Sequence, residues 1–121
     1  MKFLFVFIGA GIGGSLRYLV SDLVSKYFPI YFPFGTLIVN FLGSLLIGFF
    51  IFGLDDKELL SNSLKLLLTV GFCGGFTTFS TFSFETFNLL RNSQYLFAAL
   101  NIFLSVAVTI LGIYFAYIIS K

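Results

Sequence analysis

Residues 71–85 read GFCGGFTTFSTFSFE, an apolar stretch in which two adjacent glycines are followed by five serines and threonines within seven positions. The stretch ends a run of 19 uncharged residues between Lys65 and Glu85, about the length that crosses a bilayer. Because glycine and hydroxyl residues weaken a helix, we predict a helix that is broken near residues 74–78. A break at membrane depth is tolerated only where the freed backbone groups are buried in protein, line a cavity or bind an ion.

The rest of the chain is equally poor in charge. Seven basic and five acidic side chains are the only charges among 121 residues, and 59% of the residues are hydrophobic. A soluble domain carries charge on roughly a quarter of its residues. Backbone groups in hydrocarbon must be bonded internally, so the uncharged stretches should be helices. We predict an all-α integral membrane protein, a single domain with four transmembrane helices at approximately residues 3–22, 34–54, 64–90 and 95–119.

The composition excludes several classes of protein and site. A net charge of +2 supplies no basic field for nucleic acid. The chain has no histidine and one cysteine, Cys73, so neither an internal disulfide nor a zinc-finger type of site can form. No pair of carboxylates lies within a span, and we expect no enzymatic activity. The N-terminal run also resembles a signal peptide, but its removal would leave three helices and no exported domain.

Positive residues are almost evenly divided between the two sides of the membrane. If the spans alternate, the side of the termini has four basic residues and the other side has three: Lys2, Lys57, Lys65 and Lys121 against Arg17, Lys26 and Arg91. An excess of one barely specifies an orientation under the positive-inside rule. Charge alone leaves two topologies open, one fixed orientation or insertion in both directions with antiparallel pairing.

Small residues and short length point to an oligomer. Four helices of this length can pack on one another but cannot easily enclose a conduit. Gly9 and Gly13 form a Gly-x-x-x-Gly pair on the first span, which permits close helix packing either within one subunit or between two.

One face of the second span is polar and small. Thr36, Asn40, Gly43, Ser44 and Gly48 follow one another at spacings of three and four, which places them on the same side of a helix. Polar groups in hydrocarbon are costly and mark sites of packing or function. The Asn40 amide could bond a neighbouring helix or donate to a solute, and the spacing leaves both open.

The fourth span carries a row of polar residues, and Arg17 and Glu85 are ionisable candidates on the first and third spans. Asn101, Ser105 and Thr109 are spaced at i, i+4 and i+8, as expected either for a helix contact or for a row of donors along a conduit. Arg17 lies one turn beyond Gly13 and is expected to have a structural role or to supply a vestibule charge. Glu85 could be a vestibule charge as well.

Three segments of the chain resemble the Fluc (CrcB-type) family of fluoride channels. They are GIGGSLRY at residues 11–18, GTLIVNFLGS at residues 35–44, and the glycine and hydroxyl-rich stretch at residues 71–85. The resemblance implies an antiparallel dual-topology homodimer with two pores, in the cell membrane of a bacterium. Such a channel lets fluoride leave the cytoplasm passively and so reduces fluoride toxicity.

The resemblance also implies roles for individual residues. Asn40 resembles the pore asparagine, and Phe79 and Phe82 resemble the phenylalanines whose ring edges contact fluoride. The remaining pore lining that the resemblance implies consists of Ser80, Thr81, Ser105, Thr109 and Asn101. Asn101 stands where some members of the family have a tyrosine, so this chain departs from their pattern there.

A sodium ion at the dimer interface is implied as well. Gly74 and Thr77 resemble the residues whose backbone carbonyls hold that ion. Glu85 resembles the acidic residue that follows the phenylalanine pair in the family.

Two other functions fit the architecture less well. Small multidrug-resistance exporters have a similar length and four spans, but they rely on an acidic residue deep in the first span, which is absent here. A non-transporting assembly factor would not need a broken helix flanked by glycines and hydroxyl groups.

Overall fold

The computed structural model describes residues Met1–Lys121, and all of its regular structure is helical. Four helical spans are long and apolar enough to cross a membrane, as the sequence predicts: Lys2–Tyr27, Phe34–Asp55, Asn62–Arg91 and Tyr95–Ile119. The second span begins as the α-helix Phe34–Gly48 and continues as the π-helical segment Phe49–Asp55. The chain is therefore a multi-pass membrane protein with short connections between its spans.

The first span continues five residues beyond the predicted limit at residue 22. Its last turns carry Asp22 and Lys26, whose side chains form an exposed i,i+4 ion pair at 3.4 Å. The helix ends at Tyr27, and Phe28 is extended because it precedes Pro29. Counting apolar residues predicted most of the helix and omitted its last five residues, which include Lys26.

Close backbone contact joins the first span to the third. A Cβ atom on Gly9 would clash with the carbonyl oxygen of Leu67, and one on Gly13 would clash with that of Phe72. Both glycines are buried. The Gly-x-x-x-Gly pair therefore packs two helices within one chain, which is the first of the two possibilities that its spacing left open.

The second span packs mainly on the fourth. A Cβ atom on Gly48 would lie 2.7 Å from the Cβ of Ala116, so these two helices also approach closely through small residues. At the loop end of the second span, Asp55 forms an ion pair with Lys65 at 2.9 Å. This ion pair ties the end of the second span to the start of the third.

The third span is interrupted at residues 77–79. It consists of the α-helical turn Asn62–Lys65, the π-helical segment Leu66–Cys73 and the short helix Gly74–Phe76, followed after the break by the helix Ser80–Arg91, here called the post-break helix. Thr77 is extended, with φ −88° and ψ 161°. The interruption was expected near residues 74–78, but the two adjacent glycines remain helical and the break begins one turn later.

Candidate functional site

Asn40 holds the break in the third span through both ends of its amide. Its Nδ2 donates to the Thr78 carbonyl at 3.0 Å, and its Oδ1 accepts from the Thr78 N–H at 2.9 Å. In a continuous helix that N–H would bond to the carbonyl four residues earlier, at Gly74. The interruption therefore depends on an asparagine of another span as well as on the local sequence.

The Thr78 hydroxyl binds the first turn of the post-break helix. Its Oγ1 accepts from the Thr81 N–H at 3.2 Å, and it donates to the Thr81 hydroxyl at 3.2 Å. Thr77 instead bonds to the helix before the break. Its N–H and its hydroxyl both donate to the Cys73 carbonyl, at 2.9 and 2.8 Å. The two adjacent threonines thus end one helix and begin the next.

A cavity of about 380 Å³ lies beside the break and is called here the break cavity. It brings together residues of the second, third and fourth spans. Its lining includes seven of the predicted site residues, which are Asn40, Gly74, Thr77, Phe79, Phe82, Ser105 and Thr109. Ser44 and Thr78 also line it, and neither was predicted as a site residue, although Ser44 belongs to the polar face of the second span.

Two phenylalanine rings flank the break cavity. The ring centroids of Phe79 and Phe82 are 5.6 Å apart, and the ring planes are tilted by 43°. Phe79 is 78% exposed in the single chain, although it belongs to a cavity wall. The cavity is therefore a groove on one face of the chain rather than an enclosed tunnel.

The hydroxyl groups of the break cavity donate their protons inside the chain. There are six of them: Ser44, Thr69, Thr77, Thr78, Ser105 and Thr109. Four donate to a carbonyl one helical turn earlier, and a hydroxyl has only one proton. In this arrangement Ser105 and Thr109 line the cavity but offer it lone pairs rather than donors.

Unused hydrogen-bonding groups lie at the break itself. One N–H of the Asn40 amide remains free, because the other goes to the Thr78 carbonyl. The backbone N–H groups of Phe79 and Phe82 have no acceptor, and the backbone carbonyls of Gly74 and Thr77 have no donor. The break thus offers donors suited to an anion and carbonyl oxygens suited to a hard cation.

Arg17 and Glu85 share a second cavity of about 330 Å³, called here the Arg17 cavity. Thr81 and Thr36 also line it. The Arg17 Nε donates to the Gly75 carbonyl at 3.0 Å, so this side chain supports the helix before the break. Glu85 has a buried carboxylate oxygen, Oε1, without a hydrogen-bond partner, and it forms no ion pair with Arg17.

Two of the predicted pore residues lie outside both cavities. Asn101 is buried between the spans, where its Nδ2 donates to the Thr86 hydroxyl at 2.8 Å. Ser80 is exposed, and its hydroxyl lies 3.5 Å from that of Thr78. Apart from its place in the hydroxyl-rich stretch, nothing in the sequence marks Thr78, and Thr86 was not singled out.

Comparison with known proteins identifies the family. Residues 4–117 match the family described as "CrcB-like protein, Camphor Resistance (CrcB)". The chain belongs to the CrcB-like family. The resemblance noted in the sequence is thus confirmed over nearly the whole chain.

Relatives with established names are similar over most of their length. A protein of Coxiella burnetii named fluoride-specific ion channel FluC is 50% identical over 125 residues, which cover 100% of this CrcB-like chain and 98% of the relative. A protein of the same name from Clostridium perfringens is 47% identical, over 89% and 84% of the two chains. Another from Pyrococcus furiosus is 43% identical, over 96% and 93%. These relatives are ion channels and not enzymes, in agreement with the prediction that the present chain is not an enzyme.

Proposed function

We propose that this CrcB-like protein is a passive, fluoride-selective ion channel that lets fluoride leave the cytoplasm and so reduces fluoride toxicity. The observation that carries the proposal is the Asn40 amide at the break, with one free N–H in a cavity flanked by the Phe79 and Phe82 rings. The names of its relatives support the identity of the ion.

The proposed path runs through the Arg17 cavity, past the break and along the break cavity. Thr78 lines the break cavity and Thr81 lines the Arg17 cavity, and their hydroxyls are 3.2 Å apart. Polar groups therefore continue from one cavity to the other. Arg17 and Glu85 are vestibule charges in this proposal, and the Arg17 guanidinium attracts the anion to its end of the path.

Fluoride must exchange its water for donors of the protein, because a small anion is strongly hydrated. The free Asn40 N–H and the backbone N–H groups of Phe79 and Phe82 are available without breaking a bond. Ring edges carry positive electrostatic potential and add to the attraction. Thr81 contributes polar lining in the Arg17 cavity, and Ser105 and Thr109 do so in the break cavity. A hydroxyl of the fourth span can turn its proton from a carbonyl to a passing anion.

A second copy of the chain completes the channel in this proposal. The break cavity is a groove, and Phe79 is 78% exposed at its wall. The near balance of positive residues on the two sides permits insertion in both directions. We therefore propose an antiparallel dual-topology homodimer with two pores in the cell membrane of a bacterium, with each third span broken at mid-membrane depth.

The family also implies a sodium ion, and the residues present fit it. The carbonyls of Gly74 and Thr77 accept no hydrogen bond in the chain, and Gly74 is exposed, so both oxygens are free to coordinate a hard cation. Two such pairs would come from two copies. When bound, the ion supplies positive charge near the pores and links the two broken helices.

Anion efflux from liposomes tests the proposal. Vesicles reconstituted with the pure protein are loaded with fluoride, a matched sample is loaded with chloride, and release is read with the corresponding electrode. We expect rapid fluoride release and no chloride release. Equal release of both ions would refute selectivity, and no fluoride release from a folded sample would refute the channel. Export of an organic cation under a proton gradient would instead favour a drug exporter.

A further inference from the structure

Asn101 and Thr86 form a buried hydrogen-bonded pair between the fourth span and the post-break helix. Asn101 is only 2% exposed, and its Nδ2 donates to the Thr86 Oγ1 at 2.8 Å. Thr86 in turn donates to the Phe82 carbonyl at 2.8 Å, and Ser105 donates to the Asn101 Oδ1 at 3.4 Å. Four residues thus form one continuous chain of hydrogen bonds from Ser105 to Phe82.

The chemistry at the Phe82 end fixes the direction of this chain. A carbonyl oxygen can only accept, so Thr86 must give its single proton to Phe82 and can accept only from Asn101. The amide nitrogen of Asn101 must then face Thr86, and its oxygen faces Ser105. Ser105 therefore points its proton away from the break cavity and towards Asn101.

The two end residues of the hydrogen-bonded series line the break cavity, whereas its two middle residues do not. Phe82 and Ser105 line the cavity, on the third and fourth spans. Asn101 and Thr86 lie behind that wall and do not line it. The fourth span packs much more extensively on the second span than on the post-break helix. The hydrogen-bonded chain is therefore a principal link between these two walls of the cavity.

We propose that Asn101 and Thr86 are positioning residues that set the placement of Phe82 and the orientation of the Ser105 hydroxyl, without touching the ion. The inference rests on the proposed function and assigns Asn101 a different role from the pore lining that the family resemblance implies. The pairing uses the amide of Asn101, whose Nδ2 has Thr86 as its partner in the interior of the protein.

Single-channel fluoride currents in a planar bilayer test this role. The current through one channel does not depend on how many molecules fold, so it separates positioning from stability. We expect Thr86→Val to lower the unitary current about threefold. One interhelical hydrogen bond within a membrane shifts the equilibrium between two arrangements by about that factor, here the equilibrium between the correct and the displaced position of Phe82. Thr86→Ser keeps the hydroxyl and should retain the original current. Asn101→Leu should lower the current. The double variant with Thr86→Val should carry no less current than Asn101→Leu alone, because both substitutions interrupt the same series of hydrogen bonds.

A purely structural role predicts a different result. If Thr86→Val and Asn101→Leu reduce only the number of channels and leave the unitary current unchanged, positioning is refuted. A threefold loss in Thr86→Ser as well would also overturn it, because that variant preserves the bond. If the unmodified protein carries no fluoride current at all, the proposed function fails first and this inference fails with it.

Discussion

The Asn40 side chain and the backbone of Thr78, 38 positions apart, form two hydrogen bonds of 3.0 and 2.9 Å. The asparagine takes over the N–H that a continuous helix would direct to Gly74. This leaves the Gly74 carbonyl without a donor and keeps one Asn40 N–H free in the break cavity. A single interaction thus prepares both an anion donor and a cation ligand, which couples the two proposed ion sites.

Replacing Asn40 with aspartate should abolish most fluoride flux. The carboxylate loses both N–H groups and places negative charge in the path of an anion. A hydrogen bond to a charged group contributes about 1.5–3 kcal/mol, so the loss of one donor predicts a decrease in efflux rate of about 10- to 100-fold. Asn92→Asp, in the turn after the post-break helix, is the matched control and should leave efflux unchanged. An Asn40→Asp channel as fast as the original would exclude Asn40 as a fluoride donor.

Replacing Phe82 with isoleucine should reduce fluoride flux sharply and leave the subunits folded and assembled. Isoleucine fills similar space but has no ring edge with positive potential. Phe84→Ile provides the control, because Phe84 is exposed and lies outside both cavities. Liposome efflux and size-exclusion chromatography measure the two properties separately. Equal fluoride rates in the two variants would contradict a role for the Phe82 ring.

The four spans could be predicted from the sequence because bilayer thickness and the absence of charge set their length. The polar end of the first helix could not, since it continues to Tyr27 past the apolar segment, and its Lys26 forms an ion pair with Asp22 at 3.4 Å. The break was predicted from local propensity, which points to the two adjacent glycines. It lies at residues 77–79 because Asn40 diverts the Thr78 N–H, and a contact between spans is invisible to local propensity.

For the polar residues of the fourth span, the sequence predicts the shared helix face but not the neighbours of each side chain. Helical spacing grouped Asn101 with Ser105 and Thr109 on one face of the fourth span, and the structure preserves that row. Spacing cannot tell which part of a face meets another helix. Asn101 meets Thr86, and only its two companions reach the break cavity.

Alanine at Gly13 should destabilise the fold, whereas alanine at Gly11 should not. A methyl group on Gly13 would clash with the carbonyl oxygen of Phe72, while one on Gly11 meets nothing within 4 Å. Overpacking of this kind costs about 1–3 kcal/mol. The fraction of protein that survives heating before size-exclusion chromatography compares the two variants. If Gly13→Ala is as stable as Gly11→Ala, the first and third spans do not pack as closely as described.

Removal of sodium should impair the channel although the transported ion is an anion. If the Gly74 and Thr77 carbonyls hold sodium, its loss leaves unpaired oxygens facing each other and removes positive charge from the pores. We expect fluoride efflux to fall when N-methylglucamine replaces sodium on both sides, and to return when sodium is restored. Efflux that is independent of the cation would exclude an exchangeable structural sodium ion.

Alanine at Gly74 distinguishes a dimer interface from a face that contacts lipid. Within one chain a Cβ on Gly74 meets nothing within 4 Å, so the substitution creates no clash there. Alanine is even favoured over glycine in a helix, by about 1 kcal/mol. If Gly74 instead lies against the same residue of a second copy around a sodium ion, the added methyl group hinders their approach.

We therefore expect Gly74→Ala to remain folded but to lose dimers and fluoride flux together. Gly11→Ala, which also meets nothing within the chain, is the control for any general effect of a new methyl group. The fraction of dimers in lipid, counted by single-molecule photobleaching with and without sodium, measures the interface directly. A Gly74→Ala protein that dimerises and conducts normally would show that the second copy docks elsewhere, and the free carbonyls of the break would then need another partner.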